Sequence, residues 1–253
     1  MPRVARAKCH TGFYHVVIRG NGKQIIFEEK EDFDFFLKRV KKYSEMDKVE
    51  IHAYCLMDNH VHFLLRAEEG GGVDAFMHRL QSSYARYYNS KYERRGHLFQ
   101  DRFFSDPVLD RRGFFACIRY ILKNPEKAGI CPLGKYEYSS FGDYYRFDAI
   151  CNTDYAVKLA GGLKSLLEII EADADEDDEI MFELNPTSKK ELKAKKVICD
   201  TLGVASGTEI LSYEKSKRDE AILLLKSKGL TSRQIERLTG VGRGVIQRLQ
   251  LEG

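Results

Sequence analysis

Residues 49–66 have the sequence VEIHAYCLMDNHVHFLLR, and this segment decides the fold. It contains two apolar runs, Val49–Met57 and His60–Arg66, on either side of the dipeptide Asp58-Asn59. Runs of β-branched and aromatic residues that flank a short Asp/Asn turn are typical of a β-hairpin. The segment therefore predicts two antiparallel strands joined by a two-residue turn.

The second of these strands begins with two histidines, His60 and His62. Side chains two residues apart on a strand share a face, so both imidazoles point the same way and form a candidate pair of ligands for a divalent metal. With a two-residue turn, Cys55 lies opposite His62, and His52 lies on the other face and is not a ligand. Alternating histidines are also found as ordinary surface or core residues, so a metal site requires a third ligand.

Strands and helices alternate along the chain around this hairpin. The sequence predicts strands at Phe13–Arg19 and Phe103–Leu109, and helices at Glu31–Tyr43, Val73–Tyr92 and Arg112–Asn124. The resulting order, β-α-β-β-α-β-α, predicts an α+β fold in which helices pack on one face of a small antiparallel sheet.

The last of these helices has an apolar stripe and a tyrosine that lies off it. Asp110 is the predicted N-cap, and Pro125 ends the helix. The stripe consists of Phe114, Cys117, Ile118, Ile121 and Leu122. Tyr120 shares the polar face with lysines and with Asn124 one turn later, whose amide oxygen is a usable ligand for Mg²⁺ or Mn²⁺. Tyr120 is thus a candidate nucleophile, although an exposed or capping tyrosine is the simpler alternative.

Composition excludes several other classes of protein. Of 253 residues, 43% are hydrophobic and 31% are charged, as in a globular protein. The apolar runs are far too short to cross a membrane, and no apolar segment follows the basic N-terminus, so a cytoplasmic location without membrane association is expected. The six cysteines include no CxxC pair, which favours free thiols.

Charge is distributed unevenly although the net charge is only +3. Between Arg79 and Arg112, eight basic residues alternate with tyrosines and phenylalanines, a pattern that suits a nucleic-acid strand or a solvated helix face above buried aromatics. Between Glu171 and Glu183 there are eight acidic residues and no basic one, which indicates a linker. We therefore predict an α+β domain at 1–150, a helical and acidic linker at 151–186, and a helical domain at 187–253.

The helical domain contains a helix, a short turn and a second helix. Thr231 is a predicted cap for the helix Ser232–Leu238, and Gly242–Leu249 follows a tight turn with Arg243 and Arg248 on its surface. This pattern resembles a helix-turn-helix DNA-binding motif and, with the helix Lys189–Leu202, weakly resembles the C-terminal domain of bacterial replication initiators. A small helical bundle that packs against the first domain or a partner is the alternative.

Four segments together resemble the REP-associated tyrosine transposases, a branch of the single-tyrosine HUH transposase family. They are HVVIRGN at residues 15–21, YCLMDNHVHFLL at residues 54–65, GHLFQDRF at residues 96–103, and YILKNPEKAG at residues 120–129. The resemblance extends over residues 1–147. One departure is Leu122, which stands where many relatives have histidine.

The resemblance implies a ferredoxin-like catalytic fold and a metal-dependent single-stranded DNA endonuclease and strand transferase that acts beside hairpins, the palindromic repeat elements. It implies that His60, His62 and Asn124 bind Mg²⁺ (or Mn²⁺) and that Tyr120 forms a covalent phosphotyrosine. Candidate DNA contacts are the basic residues Arg3, Arg6, Lys8, Arg19, Arg79, Arg86, Arg94, Arg95, Arg102, Lys123, Arg243 and Arg248. The C-terminal domain is expected to contact duplex DNA.

Two other functions remain open at this stage. The chain could be a non-catalytic, sequence-specific DNA-binding protein that retains the transposase fold, although such a protein needs no complete set of His60, His62, Tyr120 and Asn124. It could also be a replication or conjugation initiator with the same chemistry, which would more naturally accompany a large partner domain. The sequence leaves the target DNA and the choice between monomer and homodimer undetermined.

Overall fold

Four strands form one antiparallel sheet in the order β2-β3-β1-β4. They are β1 (Phe13–Arg19), β2 (Glu50–Met57), β3 (His60–Arg66) and β4 (Phe104–Pro107). Helix α1 (Lys30–Asp47) connects β1 to β2, and helix α2 (Val73–Lys91) connects β3 to β4. The predicted ferredoxin-like α+β fold is confirmed by this connectivity and strand order.

The computed structural model describes residues 9–67, 72–173, 178, 182 and 186–249. The chain divides into two compact units, Met1–Ala174 and Asp175–Gly253. Within the described residues, no helix is both long enough and apolar enough to cross a membrane. All six cysteines are free, as predicted.

The register of the central hairpin places the histidine pair as predicted. Met57 lies opposite His60 and Cys55 lies opposite His62 across β2 and β3. A β-bulge between Ile51 and Ala53 adds one residue to β2. The predicted face of His52 is wrong, because this extra residue turns its side chain to the face of the histidine pair, where it contacts Phe13 and Phe114.

Both faces of the sheet are covered by helices. Val16, Val61 and Phe63 point towards α1 and α2 and belong to the larger core. The opposite face carries His15, His62 and Leu64, which are fully buried. A third helix, α3 (Arg111–Leu122), packs on β2 and β3 there. The one-face packing predicted from the sequence therefore describes α1 and α2, and the helix with the tyrosine is an addition on the second face.

Helix α3 forms for the reasons its sequence indicates. Asp110 is its N-cap, and the carboxylate accepts a hydrogen bond from the backbone N–H of Gly113. All five residues of the predicted apolar stripe are buried. A short helix, α4 (Asn124–Lys127), continues the chain with Pro125 in its first turn. Leu122 is thus a core residue, which explains an apolar side chain at that position.

Residues 151–173, predicted to be the first part of a linker, lie within the first unit. They form α5 (Thr153–Ala160) and α6 (Leu163–Glu171), and both helices contact the elements around α3. The exposed side of α3 donates to backbone carbonyls of these helices, through Arg111 to Leu159 at 2.9 Å and through Arg119 to Ile169 at 2.9 Å. These contacts make α5 and α6 part of the support of α3.

The second unit is helical and has its own core. Its helices are α7 (Pro186–Leu202), α8 (Lys215–Ser227), α9 (Ser232–Thr239) and α10 (Arg243–Arg248). Thr231 caps α9 as predicted, by accepting a hydrogen bond from the backbone N–H of Gln234. Gly240 then adopts a left-handed conformation, which ends α9 and lets the chain turn into α10. Ile235 and Ile246 are buried in the core that these helices share.

Candidate active site

His60 and His62 begin the central strand β3 and point to the face that α3 covers. Their ring centroids are 4.9 Å apart and the rings are nearly perpendicular. His62 is fully buried, whereas His60 is half-buried at the end of the strand. The Nδ1–H of His60 donates to the Oδ1 of Asn59 at 2.6 Å, which leaves the Nε2 of His60 without its proton.

Helix α3 brings the tyrosine and the asparagine to this histidine pair. The rings of Tyr120 and His62 meet edge-on, with their centroids 5.4 Å apart and an angle of 80° between the rings. The amide of Asn124 donates from Nδ2 to the Nε2 of His62 at 3.4 Å, and its side chain also interacts with His60. All four residues that the sequence selects therefore meet in one place, although they come from a strand and a helix that are far apart in the chain.

His15, to which the sequence assigned no role, belongs to the same cluster. Its Nε2 lies 3.0 Å from the Nδ1 of His62. Its ring also meets the Tyr120 ring edge-on, at 5.8 Å between centroids. The available signal was a histidine inside the HVVIRGN segment, but its partner could be found only from the register of β1 against β3.

The histidine pair is neutral at physiological pH. Burial lowers the pKa of His60 to about 4, and the positive charge of Arg19 acts in the same direction. Burial holds the pKa of His62 well below its usual range, with further contributions from His60, His15 and Arg19. Neutral imidazole is the form that binds metal ions.

The donor set fits a divalent cation that prefers mixed nitrogen and oxygen ligands. The Nδ1 atoms of both histidines take part in hydrogen bonds, so the Nε2 atoms are the nitrogens left for a metal. A rotation of the Asn124 amide turns its oxygen towards the Nε2 of His62. No cluster of three or more His, Cys, Asp or Glu able to hold a metal occurs in the part of the chain that the structure describes. The amide of Asn124 is thus the protein oxygen ligand on which such a site depends.

The basic residues predicted to bind DNA are in different situations. Arg19 lies close enough to act on the histidine pair, whereas Arg79 forms an ion pair with Asp47 at 3.2 Å. Arg94 donates to Gln24 at 2.6 Å, and Lys123 donates to the backbone carbonyls of residues 171 and 172, at the end of α6. Arg86, Arg95, Arg102, Arg243 and Arg248 are exposed. Arg3, Arg6 and Lys8 lie outside the described residues.

The tyrosines of α2 are used within the protein. Tyr84 and Tyr88 are buried in the core, which agrees with the alternative of buried aromatics below a solvated face. Tyr87 and Tyr92 both donate to the buried carboxylate of Asp32, at 3.1 and 2.7 Å. This aromatic segment therefore stabilises the contact between α1 and α2 and does not present a row of stacking platforms.

Comparison with known families agrees with this arrangement. The family model described as "Transposase IS200 like" matches residues 8–124. These residues belong to the IS200-like transposase family. The match includes the whole sheet, the histidine pair, Tyr120 and Asn124, so the first unit contains a transposase domain, and transposases are a class of DNA cleavage and rejoining enzymes.

Solved structures similar to this transposase domain are distant in sequence. One is a REP-associated tyrosine transposase bound to a REP hairpin, at 15% identity and a TM-score of 0.49, with 56% of this chain and 84% of that chain covered. Another is a putative transposase from Deinococcus radiodurans R1, at 18% identity and a TM-score of 0.34, with 44% and 89% covered. No curated protein sequence matches the chain significantly.

Proposed function

We propose that this protein is a metal-dependent endonuclease and strand transferase for single-stranded DNA, with Tyr120 as nucleophile. The observation that supports this most is the contact of Tyr120 and Asn124 with the histidine pair on a domain of the IS200-like transposase family. A protein that only binds DNA needs no hydroxyl beside a set of metal-ligand side chains.

The reaction is a transesterification at one phosphodiester. The hydroxyl oxygen of Tyr120 attacks phosphorus, the hydroxyl proton leaves, and the bond between phosphorus and the 3′ oxygen breaks. The leaving oxygen takes up a proton and becomes a 3′-hydroxyl, while the other DNA end stays on Tyr120 as a phosphotyrosine diester. Attack by a 3′-hydroxyl on this diester rejoins a strand without ATP, because the number of phosphoester bonds is unchanged.

The protein groups prepare this step in two ways. A tyrosine hydroxyl has an ordinary pKa of about 10, so the phenolate needs stabilisation, and Lys127 places its ammonium 5.6 Å from the centre of the Tyr120 ring. His60, His62 and Asn124 would hold Mg²⁺ or Mn²⁺, which as a Lewis acid makes the scissile phosphate more electrophilic. The buried position of His62 also keeps its ring neutral and fixed for this purpose.

The substrate is single-stranded DNA beside a hairpin, and the second unit binds duplex DNA. The proposal that the substrate lies beside a hairpin is based on the four sequence segments that resemble the REP-associated transposases. The duplex contact is supported by the helix-turn-helix pattern of α9 and α10, whose Arg248 is exposed. Arg243 holds Glu236 in an ion pair and would exchange it for a phosphate.

The experiment is a search for a covalent adduct. The protein is incubated with single strands of its flanking genomic hairpins and Mg²⁺, denatured, and separated by electrophoresis. A slow-migrating adduct is expected with the wild type and with Tyr155→Phe, which alters a tyrosine packed against Phe13 and Phe114 at the other end of α3. Tyr120→Phe should bind DNA and form no adduct. An adduct with Tyr120→Phe would identify another nucleophile, and DNA binding without any adduct from the wild type would favour the non-catalytic function.

A further inference from the structure

His15 and His62 form a hydrogen-bonded pair inside the protein. Both side chains are fully buried, and the two rings are parallel to within 1° with centroids 5.3 Å apart. The Nε2 of His15 lies 3.0 Å from the Nδ1 of His62. With the nitrogens at this distance, 5.3 Å is close to the largest separation that the two ring centroids can have. The two nitrogen atoms therefore point at each other, and the contact is edge to edge.

A contact between two neutral imidazoles fixes their protons, because one nitrogen must donate and the other must accept. If His62 donates from Nδ1, its Nε2 has a lone pair on the side of Asn124. If His15 donates instead, the proton of His62 moves to Nε2 and blocks that nitrogen. The Asn124 amide nitrogen lies 3.4 Å from this Nε2, which agrees with the first arrangement.

We infer that His15 is a positioning residue for the metal site, which fixes the tautomer and the ring orientation of His62 by accepting its Nδ1 proton. This inference rests on the proposed function, since it assigns a purpose to a ligand of the proposed metal. Outer partners of metal-binding histidines commonly change metal affinity by about 10- to 100-fold when they are removed. A carboxylate or a backbone carbonyl usually takes this position, and here it is a second imidazole.

The position of His15 in the sheet explains why the partner is rigid. His15 lies opposite Leu64 and His62 lies opposite Val17 in neighbouring strands, so the two histidines are diagonal neighbours on one face. Long side chains at such positions touch across the strands, and Tyr120 closes the pair from the side of α3. A displaced His15 would therefore release both a ligand and the packing of the nucleophile.

The test measures binding of Mn²⁺ alone to the full-length protein by titration calorimetry. His15→Phe keeps a planar ring and removes the acceptor, so affinity should fall about 10- to 100-fold. His15→Gln places an amide oxygen near the former Nε2, and affinity should return to within about threefold of the wild type. His52→Phe is the matched control, because His52 is another buried histidine facing α3 and contacts Phe13 and Phe114, away from the histidine pair.

Several results would overturn this role. Wild-type affinity in a folded His15→Phe variant would exclude it, and so would an equal loss in His52→Phe, which would show a general effect of removing a buried histidine. If His15→Phe does not fold, nitrogen-15 spectra of the metal-free wild type decide, since a proton on Nε2 of His62 contradicts the inference and a proton on Nδ1 supports it. Absence of metal binding by the wild type would refute the metal site itself.

Discussion

Asp32 is buried, and we expect its substitution to be among those that lower the stability of the transposase domain most. Its carboxylate is fully buried at the start of α1. One oxygen accepts from the backbone N–H groups of Glu28 and Glu29 and from the Tyr92 hydroxyl, at 2.9, 3.1 and 2.7 Å. The other oxygen accepts from Lys91 at 2.9 Å and from a tyrosine hydroxyl of α2. Asp32→Asn keeps the shape of the side chain and replaces one accepting oxygen by an amide nitrogen, which can only donate.

The magnitude follows from what the neighbours can do. The two backbone N–H groups and the Lys91 ammonium can only donate. The amide nitrogen that Asp32→Asn introduces therefore costs least on the side of Lys91, where the second partner is a tyrosine hydroxyl that can rotate and accept. One charge-assisted bond is then lost and the remaining ones lose the charge of the acceptor. Because Lys91 is partly exposed and can be hydrated, the expected loss of unfolding free energy is about 2–4 kcal/mol.

The pH dependence gives a second check. Burial raises the pKa of Asp32, but the hydrogen bonds from Lys91, Tyr92 and the two backbone groups outweigh it, and the net pKa is lowered. A lowered pKa in the folded state contributes stability above the unfolded value of about 3.9, and this contribution is lost as the pH falls through the folded value. The difference between wild type and Asp32→Asn should therefore be complete at pH 7 and shrink below about pH 4.

Urea unfolding at pH 7 and at lower pH measures both effects. Asp34→Asn on the same helix is the control and should change stability by less than about 0.5 kcal/mol, because Asp34 is outside this cluster. A change for Asp32→Asn no larger than that of the control would refute the account of the buried network. It would also mean that the tyrosines of α2 are again candidates for stacking against DNA bases.

Two further predictions concern function. His60→Ala and His62→Ala should each abolish cleavage and weaken Mn²⁺ binding while the circular dichroism spectrum stays that of the wild type; full cleavage by either variant contradicts the metal site. Truncation after Asp175 should leave hairpin cleavage intact but lower the affinity for partly duplex DNA, and the salt slope should fall by about one unit for each lost phosphate contact. Equal binding by both chains at every salt concentration would show that the second unit serves another purpose.

Local patterns in the sequence were sufficient for most elements of the fold. The hairpin register followed from a two-residue turn, and the ends of α3 followed from Asp110 and Pro125. The second covered face was not predicted, although β2 is buried at every position after Glu50, as in strands that are covered on both sides. The face of His52 could not be predicted, since a bulge has no reliable sequence signal and moves a side chain across the sheet.

The residues of the candidate site also divide into those that a local pattern predicts and those that it does not. His60 with His62, and Tyr120 with Asn124, are local pairs whose spacing on a strand or a helix indicates a common face. His15 meets His62 only because β1 pairs with β3 in one register, and this register is set by contacts between residues more than forty positions apart. Pairings of that kind depend on the assembled core and are absent from any local pattern.

The packing around Tyr120, the proposed nucleophile, also combines contacts that a local pattern predicts with contacts that it does not. Tyr120 is held against the histidines because the neighbouring residues Cys117 and Ile121 are buried on the sheet. On the other side of α3, Arg119 and Lys123 donate to the carbonyl groups at the end of α6. The helix is thus fixed between the sheet and a segment that composition alone assigned to a linker. Lys123 follows Tyr120 by less than one turn, so its hydrogen bonds to the end of α6 hold the backbone next to the proposed nucleophile. A contact of Lys123 with DNA would require that α6 first release this side chain.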